Sequence, residues 1–127
     1  MKKIVLMFLM IFLLCGCTGN KTENASFITI TGEEAMKRME EESDYLILDV
    51  RTKEEYEEGH IKDAINIPNE VIEQEAESVL KDKGQTIYVY CRSGRRSKQS
   101  CETLCALGYT HVIDFGGIID WKGEIVK

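Results

Sequence analysis

Two apolar runs constrain this chain more than anything else in it. "YLILDV", residues 45–50, and "TIYVY", residues 86–90, are short and almost without a polar face. A run of that length and uniformity reads as a strand covered on both sides, because a half-exposed strand would alternate apolar and polar residues. Strands of this kind, separated by helical patterns, belong to an α/β sheet with helices on both faces.

The rest of the pattern fills in that alternation. "FITI" from Phe27 reads as a short strand, and "TGEE" from Thr31 is a capping-box pattern opening a helix through about Glu42, with Ala35, Met36 and Met39 inward. A second box, "TKEE" at 52–55, opens a short helix that Gly59 stops. "AINIP" gives a brief strand ended by Pro68, after which Ile72, Ala76, Val79 and Leu80 mark one face of a helix. Gly84 turns the chain into the strand at 86–90. A helix from about Gly94 to Leu107 then carries Ser97, Cys101, Leu104, Cys105 and Gly108 along one side. "HVIDF" is a further strand, and "GGIIDWKG" closes the chain with a short helix. The expectation is one α/β domain over residues 27–127, built on a mainly parallel five-stranded sheet, with no internal repeat.

Composition narrows the function. A chain of 127 residues, 43% hydrophobic, suits a single core. Its 16 basic and 22 acidic residues give a net charge of −6, which argues against a nucleic-acid partner, since such proteins present a broad basic face. The basic residues at 92–98 are therefore a local feature and point to a small anion.

At the amino terminus two lysines precede an apolar run from Ile4 to Leu14. As a helix it would span about 16 Å against a bilayer core of about 30 Å, so a secretory signal is expected rather than a transmembrane helix. Leu14-Cys15-Gly16-Cys17 resembles the lipobox of bacterial lipoproteins. That resemblance implies a signal peptide over residues 1–16, cleavage before Cys17 and lipidation of its sulfur, hence an exported protein held at the cell membrane with the domain on its periplasmic or extracytoplasmic face. Residues 17–26, polar after Cys17, read as a flexible tether. Of five cysteines this leaves Cys91, Cys101 and Cys105, an odd number that makes no disulfide framework. An unpaired thiol kept in an exported protein hints at reactivity. No Cys/His spacing suits zinc, and no metal is expected.

The chemistry concentrates in "CRSGRRSKQS", which begins where the strand at 86–90 ends and a helix begins. Open α/β sheets place ligands at this position. A helix amino terminus exposes unpaired N–H groups, and Arg92, Arg95 and Arg96 add formal charge, so Cys91 is expected to ionise well below a free thiol. Gly94 fits a tight loop whose amides turn inward. A thiolate in a cationic cradle is a nucleophile suited to an anionic electrophile.

Cys91-Arg92-Ser93-Gly94-Arg95-Arg96 resembles the active-site loop of single-domain rhodaneses, the sulfurtransferases. "LILDVRTKEEYEEGHIKDAINIP" at 46–68 and "LGYTHVIDFGGIIDWKG" at 107–123 resemble two further signatures of that family, in the same order. Asp63 stands where the family usually has Gly. The resemblance implies a rhodanese-like domain and a two-step reaction: Cys91 takes the outer sulfur of thiosulfate or a related anionic donor, and the persulfide passes it to a thiol or cyanide. It implies substrate binding by Arg92, Ser93, Gly94, Arg95 and Arg96, no cofactor, and a monomer. Two alternatives stand beside it. One is a persulfide carrier or partner-binding module without turnover. The other is a cysteine phosphatase or arsenate reductase, whose Cys-x5-Arg loop does not fit, because Ser97 occupies that spacing.

Other residues have plainer readings. Asp49 is expected to bond nearby backbone and Arg51 to pair with Glu54, Glu55 or Glu57, with a role at the site mouth as the alternative. His60 is expected to pack and hydrogen-bond. Cys101, about 15 Å of helical rise from Cys91, is too far for a disulfide, and with Cys105 it is expected to pack on the sheet. Trp121 reads as a lid on the core, and Glu40, Glu41 and Glu42 as a solvated face.

Overall fold

The computed structural model describes residues 26–127. The expected signal peptide, the lipidation at Cys17 and the tether up to residue 25 lie outside the described residues. Five parallel strands form the central sheet in the order β1-β6-β5-β2-β4. They are β1 (Ile28–Thr29), β2 (Tyr45–Asp49), β4 (Ile65–Asn66), β5 (Thr86–Cys91) and β6 (Val112–Gly117). The helices are α1 (Gly32–Glu41), α2 (Lys53–Glu58), α3 (Ile72–Val79) and α4 (Arg95–Ala106).

The uniformly apolar runs are explained by their place in the middle of this sheet. β5 pairs with both β2 and β6, and consecutive side chains feed opposite cores. Leu48 and Val89 join Ile72, Ala76, Cys101 and Leu104 on the α3–α4 face. Ile47, Tyr88 and Tyr90 join Ala35 and Phe115, with Tyr56 packed against them, on the α1–α2 face. Each fully buried aliphatic side chain here contributes about 1.5–3 kcal/mol relative to exposure.

Several local expectations are corrected. Thr52 and Glu55 form a complete capping box, but Thr31 forms only half of one: its hydroxyl accepts from Glu34 N, while the Glu34 carboxylate turns to Arg38 at 3.0 Å. Val79 is 50% exposed, because α3 ends there and the chain leaves helical geometry at Leu80, which fills the core instead. Met36 and Met39 are only half-buried. Asp63 has φ 68°, a left-handed turn that glycine adopts more easily and that aspartate tolerates.

The short helix expected in the closing "GGIIDWKG" is confined to three residues of 3-10 geometry. Gly116 and Gly117 finish β6, a single 3-10 turn covers Ile118–Asp120, and Trp121 is extended. The chain then forms β7 (Ile125–Val126), antiparallel to β3 (His60–Ile61), a small second sheet that no alternation in the sequence announced.

Candidate functional site

The end of β5 and the start of α4 build the site. Cys91 is the last residue of β5, opposite Gly117 of β6, and the pairing is irregular between Val89 and Cys91. Arg92 and Ser93 bulge outward, and Gly94, at φ 106°, reverses the chain into α4. That conformation suits glycine, and a Cβ there would face Gly116 Cα at 3.5 Å. Gly117 is needed for a different reason: a Cβ on it would overlap the Arg92 carbonyl and Ser93 Cα.

This turn aims backbone at sulfur. Gly94 N–H donates to Cys91 Sγ at 2.9 Å, and the Ser97 hydroxyl lies 3.6 Å from it. Burial pushes the Cys91 thiol up, but hydrogen bonds from the Ser97 hydroxyl and from the backbone of Ser97, Gly94 and Ser93 more than offset it, so the net shift is downward. Cys101 and Cys105 are pushed up by burial, which leaves Cys91 as the one described thiol shifted toward its ionised form.

The three loop arginines take different places. Arg92 and Arg95 are exposed and make no ion pair among the described residues. Arg96 instead grips Glu55 in a two-pronged pair at 2.6 and 3.0 Å. That hydrogen-bonded pair holds the Glu55 carboxyl down to about 2. It also raises Arg96, whose charge is within reach of the Cys91 sulfur. Glu55 thus ties α2 to the site while completing its own capping box. Sequence reasoning saw the box but not the partner, 41 residues away.

Arg51 pairs with none of Glu54, Glu55 or Glu57. Its guanidinium lies against Asp49, at 2.7 Å, and donates to the Gly59 carbonyl. Asp49 also accepts from the Tyr90 hydroxyl, which in turn accepts from Ile61 N. This buried cluster bolts β3 to the central sheet. His60 stacks on Tyr56 at 3.7 Å between ring centres, with Nδ1 2.8 Å from the Tyr56 carbonyl. Trp121 packs against Phe115 at the edge of the second core, half-buried.

Two clefts flank the loop. One of about 510 Å³ is lined by Ile30, Met36, Ser93, Phe115 and Lys122. The other, about 390 Å³, is lined by Arg51, Glu55, Glu58, Arg92 and Ile119. A third group was not anticipated: Ser97 donates to Asp114 Oδ1 at 2.7 Å, and Asp114 is fully buried.

The chain can be set beside known proteins on this basis. The family model described as "Rhodanese-like domain" matches residues 31–124, which includes every element of the site. The chain is 42% identical over 80 residues to the thiosulfate sulfurtransferase PspE of Escherichia coli (strain K12), covering 63% of this chain and 77% of that protein. It is 38% identical over 93 residues to a sulfurtransferase of Allochromatium vinosum, covering 72% and 85%. A solved structure described as a rhodanese with anions from E. coli superposes with a TM-score of 0.62 at 40% identity, covering 65% of this chain and 98% of that one. With the central parallel sheet, the cysteine at the end of its middle strand and the match from Thr31 to Glu124 in agreement, the chain belongs to the rhodanese-like family of sulfurtransferases.

Proposed function

We propose that the protein moves sulfane sulfur from thiosulfate, or a related anionic donor, to a thiol or cyanide through a persulfide on Cys91. The Cys91 thiolate attacks the outer sulfur of thiosulfate, the S–S bond breaks and sulfite leaves with its electron pair. The acceptor then attacks the outer sulfur of the persulfide and Cys91 leaves as a thiolate. The observation that carries this reading is the turn at Gly94, which points an amide at the Cys91 sulfur over 2.9 Å and favours its ionised form. In this reading the added sulfur sits beside the backbone donors of Ser93, Gly94 and Ser97 that already face Cys91.

Arg92, which lines one of the clefts, and Arg95, exposed at the start of α4, hold the donor's sulfonate in this reading. Arg96, engaged by Glu55, contributes fixed charge and the position of the loop. Sulfur-donor use is supported by the names of the two sulfurtransferase relatives. Export, lipidation at Cys17 and a monomeric state belong to the same proposal, the first two supported by the sequence from Leu14 to Cys17.

The test is intact-mass analysis of the protein after brief exposure to thiosulfate, beside Cys91→Ser. A gain of one sulfur atom on the wild type only, reversed by cyanide, is the expected result. No gain in a folded, reduced sample rejects thiosulfate as donor. Loading once without catalytic release to thiols or cyanide identifies a carrier.

A further inference from the structure

Behind the Cys91 sulfur lies a carboxylate with no ion-pair partner. Asp114, in β6 beside the strand that ends in Cys91, is fully buried, and among the described residues no cation reaches it. Three neutral donors surround it. Oδ1 accepts from the Ser97 hydroxyl at 2.7 Å and from Gly116 N at 3.0 Å, and Oδ2 accepts from the Thr29 hydroxyl at 3.2 Å. This buried carboxylate is thus held in place by hydrogen bonds from neutral groups alone.

Ser97 links this carboxylate to the sulfur. Its hydroxyl has one hydrogen but faces three acceptors: Asp114 Oδ1 at 2.7 Å, the Gly94 carbonyl at 3.0 Å and Cys91 Sγ at 3.6 Å. While Asp114 is ionised, the hydrogen belongs to the short bond to its charged oxygen, and Ser97 offers Cys91 only lone pairs, which suit an S–H donor. Once Asp114 is protonated, its own O–H donates to Ser97, and the Ser97 hydrogen is free to turn to sulfur, which suits a thiolate. The two ends of the chain therefore favour opposite protonation states.

We propose that Asp114 is a positioning residue that stores the Cys91 proton, received through the Ser97 hydroxyl, while the sulfur is ionised or carries a second sulfur. In the forward step the Cys91 S–H bond breaks, its proton passes to Ser97 Oγ, and the Ser97 proton passes to Asp114 Oδ1. The products are a thiolate, an intact hydroxyl and a carboxylic acid, with no change in total charge. When the outer sulfur leaves for an acceptor, the same path runs backward and restores the thiol. The timing of storage and return rests on the sulfur-transfer reading; the exchange itself belongs to the resting protein. Other titratable groups near this path are Cys101 on α4, which faces both Asp114 and Cys91, and Arg96, which faces Cys91 from the Glu55 side.

The test uses the full chain as wild type, Asp114→Asn, Ser97→Ala, Ser97→Thr and the Asp114→Asn/Ser97→Ala double variant. Alkylation of Cys91 by iodoacetamide is followed against pH on the peptide that contains it, and release of loaded sulfur to dithiothreitol is followed in a single turnover. Asparagine keeps an oxygen for Gly116 and Ser97 but cannot take a proton. Expected for Asp114→Asn is Cys91 ionisation at higher pH than in wild type, because the proton has no carboxylate to go to and the asparagine oxygen keeps the Ser97 hydrogen, with release slowed roughly a hundredfold, the low end for a lost proton-transfer group. Ser97→Ala raises the ionisation pH and slows release similarly, Ser97→Thr restores both, and the double variant releases no more slowly than Ser97→Ala alone. Profiles and release rates within about twofold of wild type in folded Asp114→Asn and Ser97→Ala overturn the proposal, because a proton-transfer group contributes far more. If thiosulfate fails to load the wild type, the sulfur-transfer reading fails, and the alkylation profiles still decide the proton link.

Discussion

Burial alone would leave Cys91 a poor nucleophile, as it does Cys101 and Cys105, and the difference is made within one turn of chain. The Ser97 hydroxyl and the backbone of Ser97, Gly94 and Ser93 supply the hydrogen bonds that carry the effect, so the arginines that make the loop conspicuous are secondary to ionisation. Removing Arg96 should still act on the sulfur through lost charge. Arg96→Ala is expected to raise the Cys91 pKa by less than about one unit, since a partly exposed pair is worth about 1 kcal/mol or less. A pH series of Cys91 alkylation measures this, and an unchanged midpoint would remove Arg96 from the account. At this scale the sequence made Cys91 and Gly94 legible, because charge and a glycine cluster within a few residues. Glu55, Ser97 and Asp114 stayed hidden because what matters about them is a partner: Glu55 finds Arg96 across 41 positions, and Asp114 finds Ser97 across 17. A carboxylate inside "HVIDF" reads as one polar residue in a strand until the neighbouring helix is in place.

Elements are legible in the sequence where both faces or a cap leave a local trace, and not where neighbours compete. The strands Tyr45–Asp49 and Thr86–Cys91 were clear because they are apolar throughout. The box at Thr31 looks complete in the sequence, but Arg38, one turn further on, draws away the Glu34 carboxylate. β6 meets the loop between β5 and α4 through glycine, which yields a prediction about that loop. Gly117→Ala places a methyl into the Arg92 carbonyl and Ser93 Cα, which are backbone and cannot rotate away. The cost is expected at about 1–3 kcal/mol, as for overpacking elsewhere. Thermal unfolding should show a loss of several degrees, and thiosulfate loading should fall further than Cys91→Ser-corrected background allows for a merely less stable protein. Normal loading at a lowered melting temperature would show that the loop adapts without losing its aim. Thr52→Ala removes the complete box of α2 and is expected to cost about 1 kcal/mol, read from the same melts.

Over the whole molecule, polar contacts at the carboxyl ends of the strands join parts that the two apolar cores leave separate. Asp49, Arg51 and Tyr90 fasten β3, and through its pairing β7, to the central sheet. This is why β7 leaves no trace in the sequence: Ile125 and Val126 pair with β3, more than 50 residues earlier, and nothing local encodes that pairing. Arg51→Ala leaves the buried Asp49 without its cation and is expected to cost about 3–5 kcal/mol in denaturant unfolding. The Glu55–Arg96 pair does the same work between α2 and α4, and it should set how the molecule responds to acid. The Glu55 carboxyl is held down to about 2 from its ordinary 4.5. Because the folded value is the lower one, the pair contributes fully above the unfolded value, and its contribution is lost as pH falls from about 4.5 to about 2. Melting temperature should therefore drop more steeply across that window in wild type than in Glu55→Gln, which has no proton to gain. The two proteins should converge at the acid end and differ most near neutrality, with wild type the more stable. Parallel curves would mean that the pair is too solvated to matter, and that the loop owes its position to the glycines and the cap alone.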